Sequence, residues 1–117
     1  MVSIAPNDYL RFLQQMHRAR GRGRLADLEP VCARLLDEIA IEDEQGTPLT
    51  VTGLMALAHI ASPATLHRKM QSLMAEALIE LQVDPDNKRS KFVGLTKKGK
   101  RYYATLAALM ADACQAA

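Results

Sequence analysis

Large aromatic side chains are scarce in this sequence, which has no Trp and only 4% Phe and Tyr among its 117 residues. A core must therefore come from Leu, Ala, Met and Ile, a composition that favours helices over sheets. The two cysteines, Cys32 and Cys114, lie among apolar or small neighbours, where a buried free thiol is the ordinary outcome. A redox-sensing thiol is the less favoured alternative, because no activating cluster lies nearby.

Long hydrophobic runs are also missing. No apolar stretch approaches the roughly 20 residues needed to cross a bilayer, and the first residues lack the basic-then-apolar layout of a secretory signal. We therefore expect a cytoplasmic protein without a membrane partner. Paired carboxylates in an apolar stretch, a phosphate-cradling glycine loop and His/Cys pairs at zinc spacing are absent too. We expect neither an enzyme nor a cofactor or metal site.

Charge is unevenly distributed, although the net charge is only +2. Residues 1–24 carry five Arg and one Asp, and residues 25–48 carry seven acids and one Arg. Residues 49–117 carry nine basic and five acidic side chains. These basic and acidic blocks are more informative about possible binding partners than the small net charge is.

The central stretch, residues 50–96, predicts a winged helix-turn-helix. Thr50 or Thr52 can cap a first short helix that carries the apolar residues of 54–58. A turn over 59–61 follows. Ser62 is a strong N-cap and the next residue is Pro, which suits the first helical position, so a second helix is predicted to begin there.

The second helix has two contrasting faces. Its apolar positions recur at helical spacing and predict a core face: Leu66, Met70, Leu73, Met74 and Ala77. The opposite face combines small, hydroxyl, amide and cationic side chains: Ala64, Thr65, His67, Arg68, Lys69, Gln71 and Ser72. Short residues permit close approach to a major groove, while Thr, Gln and Arg can contact bases or phosphates. An ordinary solvated helix face is the competing interpretation.

A charged hairpin follows the second helix. Residues 78–83 and 92–95 predict two strands, and the intervening residues 84–91 contain the Asp, Pro and Asn typical of a turn. Lys88, Arg89 and Lys91 lie near its tip. Such a hairpin predicts a wing whose cations reach a minor groove or the DNA backbone.

The residues before this unit predict two helices. Pro6 opens an amphipathic helix with apolar positions up to Met16, which we expect to fade into the Arg/Gly-rich segment 17–24. That segment is interpreted either as a mobile connector or as a flexible arm along DNA phosphates. From Leu25 onward, apolar residues recur at helical spacing up to Ile39 and predict a second helix of about three turns, with Pro30 in its first turn. The acidic residues 41–48 are predicted to form a loop that does not face DNA.

A last helix is predicted after Thr96, which serves as its cap. Four cations follow in the first turn, against the helix dipole, and a bound phosphate would offset that cost. Further along, Tyr103, Leu106 and Met110 form a broad apolar stripe that should be buried against a second subunit.

The order of these elements resembles the MarR family of transcriptional regulators. Residues 62–68, Ser-Pro-Ala-Thr-Leu-His-Arg, resemble the start of that family's recognition helix. Residues 86–99, from Asp-Asn-Lys-Arg to Leu-Thr-Lys-Lys-Gly, resemble its wing and the start of the following helix. The resemblance covers roughly residues 25–110, and the wing is its more specific part.

This resemblance implies a homodimer with intertwined terminal helices that presents one winged helix to each half of a palindromic site. It implies that Thr65 and Arg68 approach bases or phosphates, that Arg89 enters the minor groove, and that a small aromatic effector binds between the dimer helices and the DNA-binding lobe. Two positions depart from the family pattern. Asn87 replaces an acid that orients the wing arginine, and Ala77 replaces a Gly before the first wing strand.

The sequence therefore predicts a mainly α protein with a small β-hairpin wing that binds double-stranded DNA and regulates transcription. Its expected parts are an N-terminal helix and connector (1–24), the winged helix-turn-helix (25–96) and a dimerisation helix (97–117). The alternative is a winged helix that binds other proteins as an adaptor. The predicted DNA-binding residues are Ser62, Ala64, Thr65, His67, Arg68, Lys69, Gln71, Lys88, Arg89, Ser90 and Lys91. The predicted dimerisation residues are Tyr9, Phe12, Leu13, Met16, Tyr103, Leu106 and Met110.

Overall fold

The structure, a computed structural model, describes residues 3–115. The elements in chain order are α1 (Pro6–Gly21), α2 (Pro30–Glu44), α3 (Val51–Met55), α4 (Pro63–Ala75), β1 (Ile79–Val83), β2 (Lys91–Leu95) and α5 (Lys97–Gln115). They form two compact units. The central unit is Leu28–Lys100, and the terminal unit contains the described residues up to Asp27 and from Arg101 onward. The predicted mainly α fold with a two-stranded wing is confirmed.

The central unit has a leucine-rich core, as the composition predicts. Its fully buried side chains come from α2, α3, α4 and the hairpin: Leu35, Leu36, Ile39, Leu54, Leu66, Leu73, Leu78 and Val93. Helix α2 packs against both α4 and β2. Each such burial contributes about 1.5–3 kcal/mol relative to exposure, so this core fixes α4 and the wing on one scaffold.

The wing is an antiparallel hairpin in which Ile79 lies opposite Leu95 and Val83 opposite Lys91. The predicted strands differ from these by one residue at the start of each. The residues just before α3 pair with β2, because the Leu49 carbonyl accepts from the Val93 N–H at 2.8 Å. The hairpin is therefore held on one side by the chain that leads into α3.

Three helices end in the same backbone motif, in which the residue after the C-cap adopts a positive φ. That residue is Gly23 after α1 (φ 73°), Gly46 after α2 (φ 79°) and Ala77 after α4 (φ 59°). After α4, the N–H of Ala77 donates to the Met74 carbonyl at 2.9 Å, and the N–H of Leu78 donates to the Leu73 carbonyl at 3.0 Å. These bonds satisfy carbonyls that the end of a helix otherwise leaves without partners.

The structure corrects three of the predicted boundaries, two of them at helices that end in this motif. The predicted Arg/Gly-rich connector begins later than expected, since α1 continues to Gly21 and a capped turn closes it. Residues 22–29 then join α1 to α2. Helix α2 extends through 41–44, and only the residues after Glu44 form the loop. Helix α3 is shorter than predicted and ends at Met55, so the turn before α4 occupies 56–62.

The residues that join the wing to α5 explain the Leu-Thr-x-x-Gly pattern. Thr96 caps α5 by accepting from the Gly99 N–H at 3.0 Å, and its hydroxyl donates to the Ala77 carbonyl at 2.6 Å. A Cβ on Gly99 would overlap the carbonyl oxygen of Leu78. Glycine therefore permits the start of α5 to lie directly against the turn that ends α4.

The terminal unit contains the residues predicted to form a dimer interface. Asp8 accepts from the Ala5 N–H at 2.9 Å and caps α1, while Arg11 donates to the Ala113 carbonyl at 3.1 Å. Several apolar side chains of this unit remain more than half exposed: Ile4, Tyr9, Leu10 and Met110. The other predicted dimerisation residues are half-buried: Phe12, Leu13, Met16, Tyr103 and Leu106.

Candidate nucleic-acid interface

The start of α4 is fixed by its own side chains. Ser62 caps the helix by accepting from the Thr65 N–H at 3.3 Å, and its hydroxyl donates to Thr65 Oγ1 at 3.1 Å. Pro63 occupies the first helical position, where its lack of an N–H has no cost. The predicted cap is confirmed, and it defines the direction in which the first turn of α4 projects.

The outer face of α4 carries the predicted polar side chains. Ser62, Ala64, His67, Arg68 and Gln71 are exposed, and Thr65 is half-buried. The guanidinium of Arg68 donates to Thr65 Oγ1 at 3.1 Å. This bond restrains a long cationic side chain along the first turn, so the entropic cost of ordering it against a ligand is reduced.

Lys69 differs from its neighbours on α4. It is half-buried, and its ammonium lies 3.3 Å from Glu29 Oε1. Glu29 also caps α2 by accepting from the Cys32 N–H at 2.7 Å. The charge of Lys69 is thus partly neutralised within the protein, and its side chain joins α4 to the start of α2.

The same cap determines the chemistry of Cys32. Burial and the hydrogen bond with the Glu29 carboxylate raise the pKa of the Cys32 thiol to about 11, so the thiol is protonated at neutral pH. Since the thiolate is the reactive form, this environment does not favour the redox-sensing alternative for Cys32.

The wing turn is ordered by side chains that accept from the backbone. Asp84 Oδ1 accepts from the Asp86 N–H at 2.9 Å, and Asn87 Oδ1 accepts from the Arg89 N–H at 3.2 Å. Asn87 therefore orients the backbone of the wing tip. Its side-chain amide does not pair with the guanidinium of Arg89. Lys88, Arg89 and Lys91 are exposed and Ser90 is half-buried.

A depression of about 430 Å³ lies between α4 and the wing. Its lining combines predicted DNA-binding residues from both elements with an apolar floor: His67, Gln71, Arg89, Ser90 and Lys91, with Met70, Met74 and Leu81. Val51 and Thr52 at the start of α3 complete it. No acidic side chain lines this depression, so its electrostatic character is positive. We call the depression and the exposed face of α4 the α4–wing surface.

Two groups that position this surface are not among the residues predicted from the sequence. Asp43 is predicted to lie in a loop, but it lies on α2, and its Oδ2 accepts from the Leu95 N–H at 2.9 Å, which fixes the base of the wing. Val51 and Thr52 are predicted only to belong to the first helix and its start. The exposure of Thr52 beside α4 depends on tertiary packing, which no local pattern encodes.

The cations at the start of α5 have an internal explanation. The ammonium of Lys98 donates to the Glu76 carbonyl at 2.7 Å, at the C-terminal end of α4. The negative end of the α4 dipole favours a cation there. For Lys98, the cost predicted from the α5 dipole is therefore offset without a bound phosphate.

Solved structures with the same fold include several MarR-type proteins. MarR is 21% identical with a TM-score of 0.58, over 93% of this chain and 78% of that chain. The S. aureus MepR–DNA complex is 19% identical with a TM-score of 0.65, over 92% and 86%. The transcriptional regulator Tm0710 from Thermotoga maritima is 20% identical with a TM-score of 0.60, over 91% and 72%. No protein-family profile and no curated protein sequence matches the chain.

At these identities the similarity establishes the fold, a winged helix of the MarR type, as the resemblance predicted. Two further findings concern the described residues alone. Within residues 3–115, no helix is long and apolar enough to cross a membrane. Over the same range, no three His, Cys, Asp or Glu side chains lie close enough together to hold a metal ion.

Proposed function

We propose that the central unit binds double-stranded DNA through the α4–wing surface and thereby regulates transcription. The observation that carries this proposal is the convergence of exposed cationic and hydrogen-bonding side chains from α4 and the wing on one surface without acids. A duplex presents phosphates on both sides of grooves whose base edges accept and donate hydrogen bonds. The α4–wing surface matches both features.

The roles proposed for individual residues follow from where they lie. Helix α4 enters the major groove, where Ala64 permits close approach and Thr65 and Gln71 contact base edges. Arg68 binds a guanine or a phosphate. Beside α4, Lys88 and Lys91 contact the backbone and Arg89 enters the adjacent minor groove. His67 and Ser90 line the depression between these contacts, and Ser62 lies at the exposed start of α4.

The MepR structure with bound DNA supports this proposal through fold alone, since a protein of the same architecture binds DNA. Lys69 takes a lesser role than the sequence predicts, because Glu29 already pairs with its ammonium. The carboxylate of Asp43 and the Thr96–Gly99 junction support binding indirectly, since they fix the wing and α4 on the core.

We also propose that the protein acts as a homodimer. The exposed apolar side chains of the terminal unit are covered by a second copy, and each copy reads one half of a palindromic site. We place the small aromatic effector in the depression rather than beside the dimer helices, because Met70, Met74 and Leu81 line it together with the cations Arg89 and Lys91, which would pair with an aromatic acid. Such a ligand would compete with DNA for the same cations.

Selection from a pool of random duplexes of about 25 base pairs tests the function, since two half-sites one helical turn apart fit within that length. The wild-type protein should enrich a palindrome over repeated rounds. The Arg68→Ala/Arg89→Ala variant should enrich none, whereas Arg34→Ala/Arg101→Ala, which removes two exposed arginines elsewhere, should enrich the same palindrome. No enrichment by the wild type would favour the protein-adaptor alternative.

A further inference from the structure

A second basic surface lies in the terminal unit, separate from the residues proposed to bind DNA. Arg18, Arg22 and Arg24 line a depression of about 180 Å³ at the C-terminal end of α1. Gln15 and Asp112 contribute its remaining polar side chains, with Ala19 and Leu109 as apolar lining. We call this the arginine surface.

The local backbone brings the three arginines together. Arg18 and Arg22 are four residues apart at the end of a helix, where side chains at that spacing are neighbours. The capped turn at Gly23 then reverses the chain, because the Arg24 N–H donates back to the Ala19 carbonyl at 2.8 Å. The arginine surface is thus part of an ordered helix end, with a defined spacing of charges.

The charges of the arginine surface are not balanced within the protein. Asp112 is the only acid that lines it, and in the described part of the chain no ion pair joins Asp112 to any of the three arginines. Like charges four residues apart on a helix destabilise it. The negative end of the α1 dipole offsets part of this repulsion, but an anionic ligand would offset more.

A second observation concerns Gln15. Its amide oxygen is buried and accepts no hydrogen bond from the described residues. A buried polar atom without a partner costs about 1–3 kcal/mol. A ligand that accepts hydrogen bonds from guanidinium groups would neutralise the arginines, and one that also offers a donor would pair with Gln15 if its amide rotates toward the depression.

We infer that the arginine surface binds a phosphate group. Guanidinium groups match the oxygens of phosphate in pairs. A phosphate monoester in its singly protonated form also supplies a donor for Gln15, whereas a DNA phosphodiester pairs with the arginines alone. The volume is below the roughly 300–1,000 Å³ of sites for drug-sized ligands and suits one phosphate carried on a larger molecule. The phosphate comes either from the DNA backbone, which rests on the proposed function, or from a free phosphate ester.

Two triple variants test this inference. Arg18→Gln/Arg22→Gln/Arg24→Gln removes the arginine surface, while Arg34→Gln/Lys97→Gln/Arg101→Gln removes three other exposed cations and serves as the control. All six side chains are exposed, so both variants should fold. Two measurements follow: the slope of log Kobs against log salt for a 25-base-pair duplex, and the shift of Tm by inorganic pyrophosphate at constant ionic strength.

If the phosphate comes from DNA, the first variant lowers the salt slope by about 0.9 for each phosphate that the three arginines neutralise in the wild type, and the control does not. If it comes from a free ester, pyrophosphate raises the Tm of the wild type and the control but not that of the first variant. The inference is overturned if the two variants are indistinguishable in both measurements. A wild type that binds no duplex but is stabilised by pyrophosphate would contradict the proposed function and retain this inference.

Discussion

Ala77 adopts a left-handed backbone, with φ of 59°, at the position where α1 and α2 have Gly23 and Gly46. A side chain makes that conformation unfavourable by roughly 1–2 kcal/mol, and the greater freedom of unfolded glycine offsets part of this difference. The hydrogen bonds of the motif and the contact of Thr96 with the Ala77 carbonyl hold the strained residue in place. The sequence shows the missing glycine, but only the structure shows that the helix ends in the usual way.

Replacing Ala77 by glycine should therefore stabilise the protein. We expect Ala77→Gly to raise the free energy of unfolding by about 1 kcal/mol, measured by urea denaturation. The matched control is Gly46→Ala, at φ 79° with open space around the added Cβ, which should lower it by a similar amount. A destabilised Ala77→Gly variant would contradict this explanation of the α4 end.

Carboxylate caps make stability depend on pH. The backbone N–H of Cys32 lowers the pKa of Glu29 below its ordinary 4.5, and the Ala5 N–H together with Arg11 lowers the pKa of Asp8 below 3.8. A lowered pKa in the folded state means that the stabilisation is complete above the ordinary pKa and is lost as pH falls through the folded value. The caps therefore favour folding at neutral pH and weaken in acid.

The Glu29→Gln variant isolates one of these contributions. We expect its Tm to lie below that of the wild type at pH 6, and the difference to shrink as pH falls from about 5 to about 3. Glu44→Gln, which changes a carboxylate outside the caps, is the control and should show no such convergence. A difference between Glu29→Gln and wild type that stays constant down to pH 3 would rule out the charged cap.

At the scale of elements, hydrophobic spacing and cap residues locate every helix and both strands, because each has a regular apolar face or a strong start signal. Element ends are predicted less well. The extension of α2 through Glu44 depends on Gly46, which terminates the helix later than charge and turn composition suggest. The sequence pattern contains the glycine but not the conformation it adopts.

In the candidate site too, local positions are predicted from the sequence, whereas contacts between distant residues are not. The sequence predicts which side chains lie on the outer face of α4 and at the wing tip, because those positions follow from helical and hairpin geometry. It does not predict that Lys69 pairs with Glu29 or that Asp43 holds Leu95, since these pairs are 40 and 52 residues apart. Only packing of α2 against α4 and β2 brings them together.

A substitution at the wing tip should change DNA affinity without changing the stability of the protein. Arg89 is exposed and its guanidinium has no partner in the described chain, so Arg89→Ala should leave the Tm unchanged. It should weaken duplex binding about tenfold, since one specific contact is worth about 1–3 kcal/mol. Lys69→Ala is the comparison: it should reduce affinity less and change stability by under about 1 kcal/mol. Equal losses of affinity in the two variants would contradict the larger role proposed for Arg89 than for Lys69.

At the scale of the whole molecule, the terminal unit exposes an apolar face that the isolated chain does not cover, with Tyr9 58% and Met110 54% exposed. We expect Tyr9→Lys/Met110→Lys to convert a dimer into a monomer in sedimentation equilibrium and to weaken binding to a palindrome. Ile41→Lys/Val83→Lys changes two equally exposed apolar residues of the central unit and should remain dimeric. A monomeric wild type would contradict the proposed assembly.

The measurement that tests the central claim most directly is the affinity of the protein for a labelled 25-base-pair duplex across a range of salt concentrations. The comparison is between the wild type, Arg68→Ala/Arg89→Ala and Arg34→Ala/Arg101→Ala. We predict wild-type and control binding that falls steeply with salt, as phosphate contacts require, and a large decrease of affinity in the Arg68/Arg89 variant alone. Wild-type protein that fails to bind at the lowest salt, or two double variants with equal affinity, would contradict DNA binding through α4 and the wing.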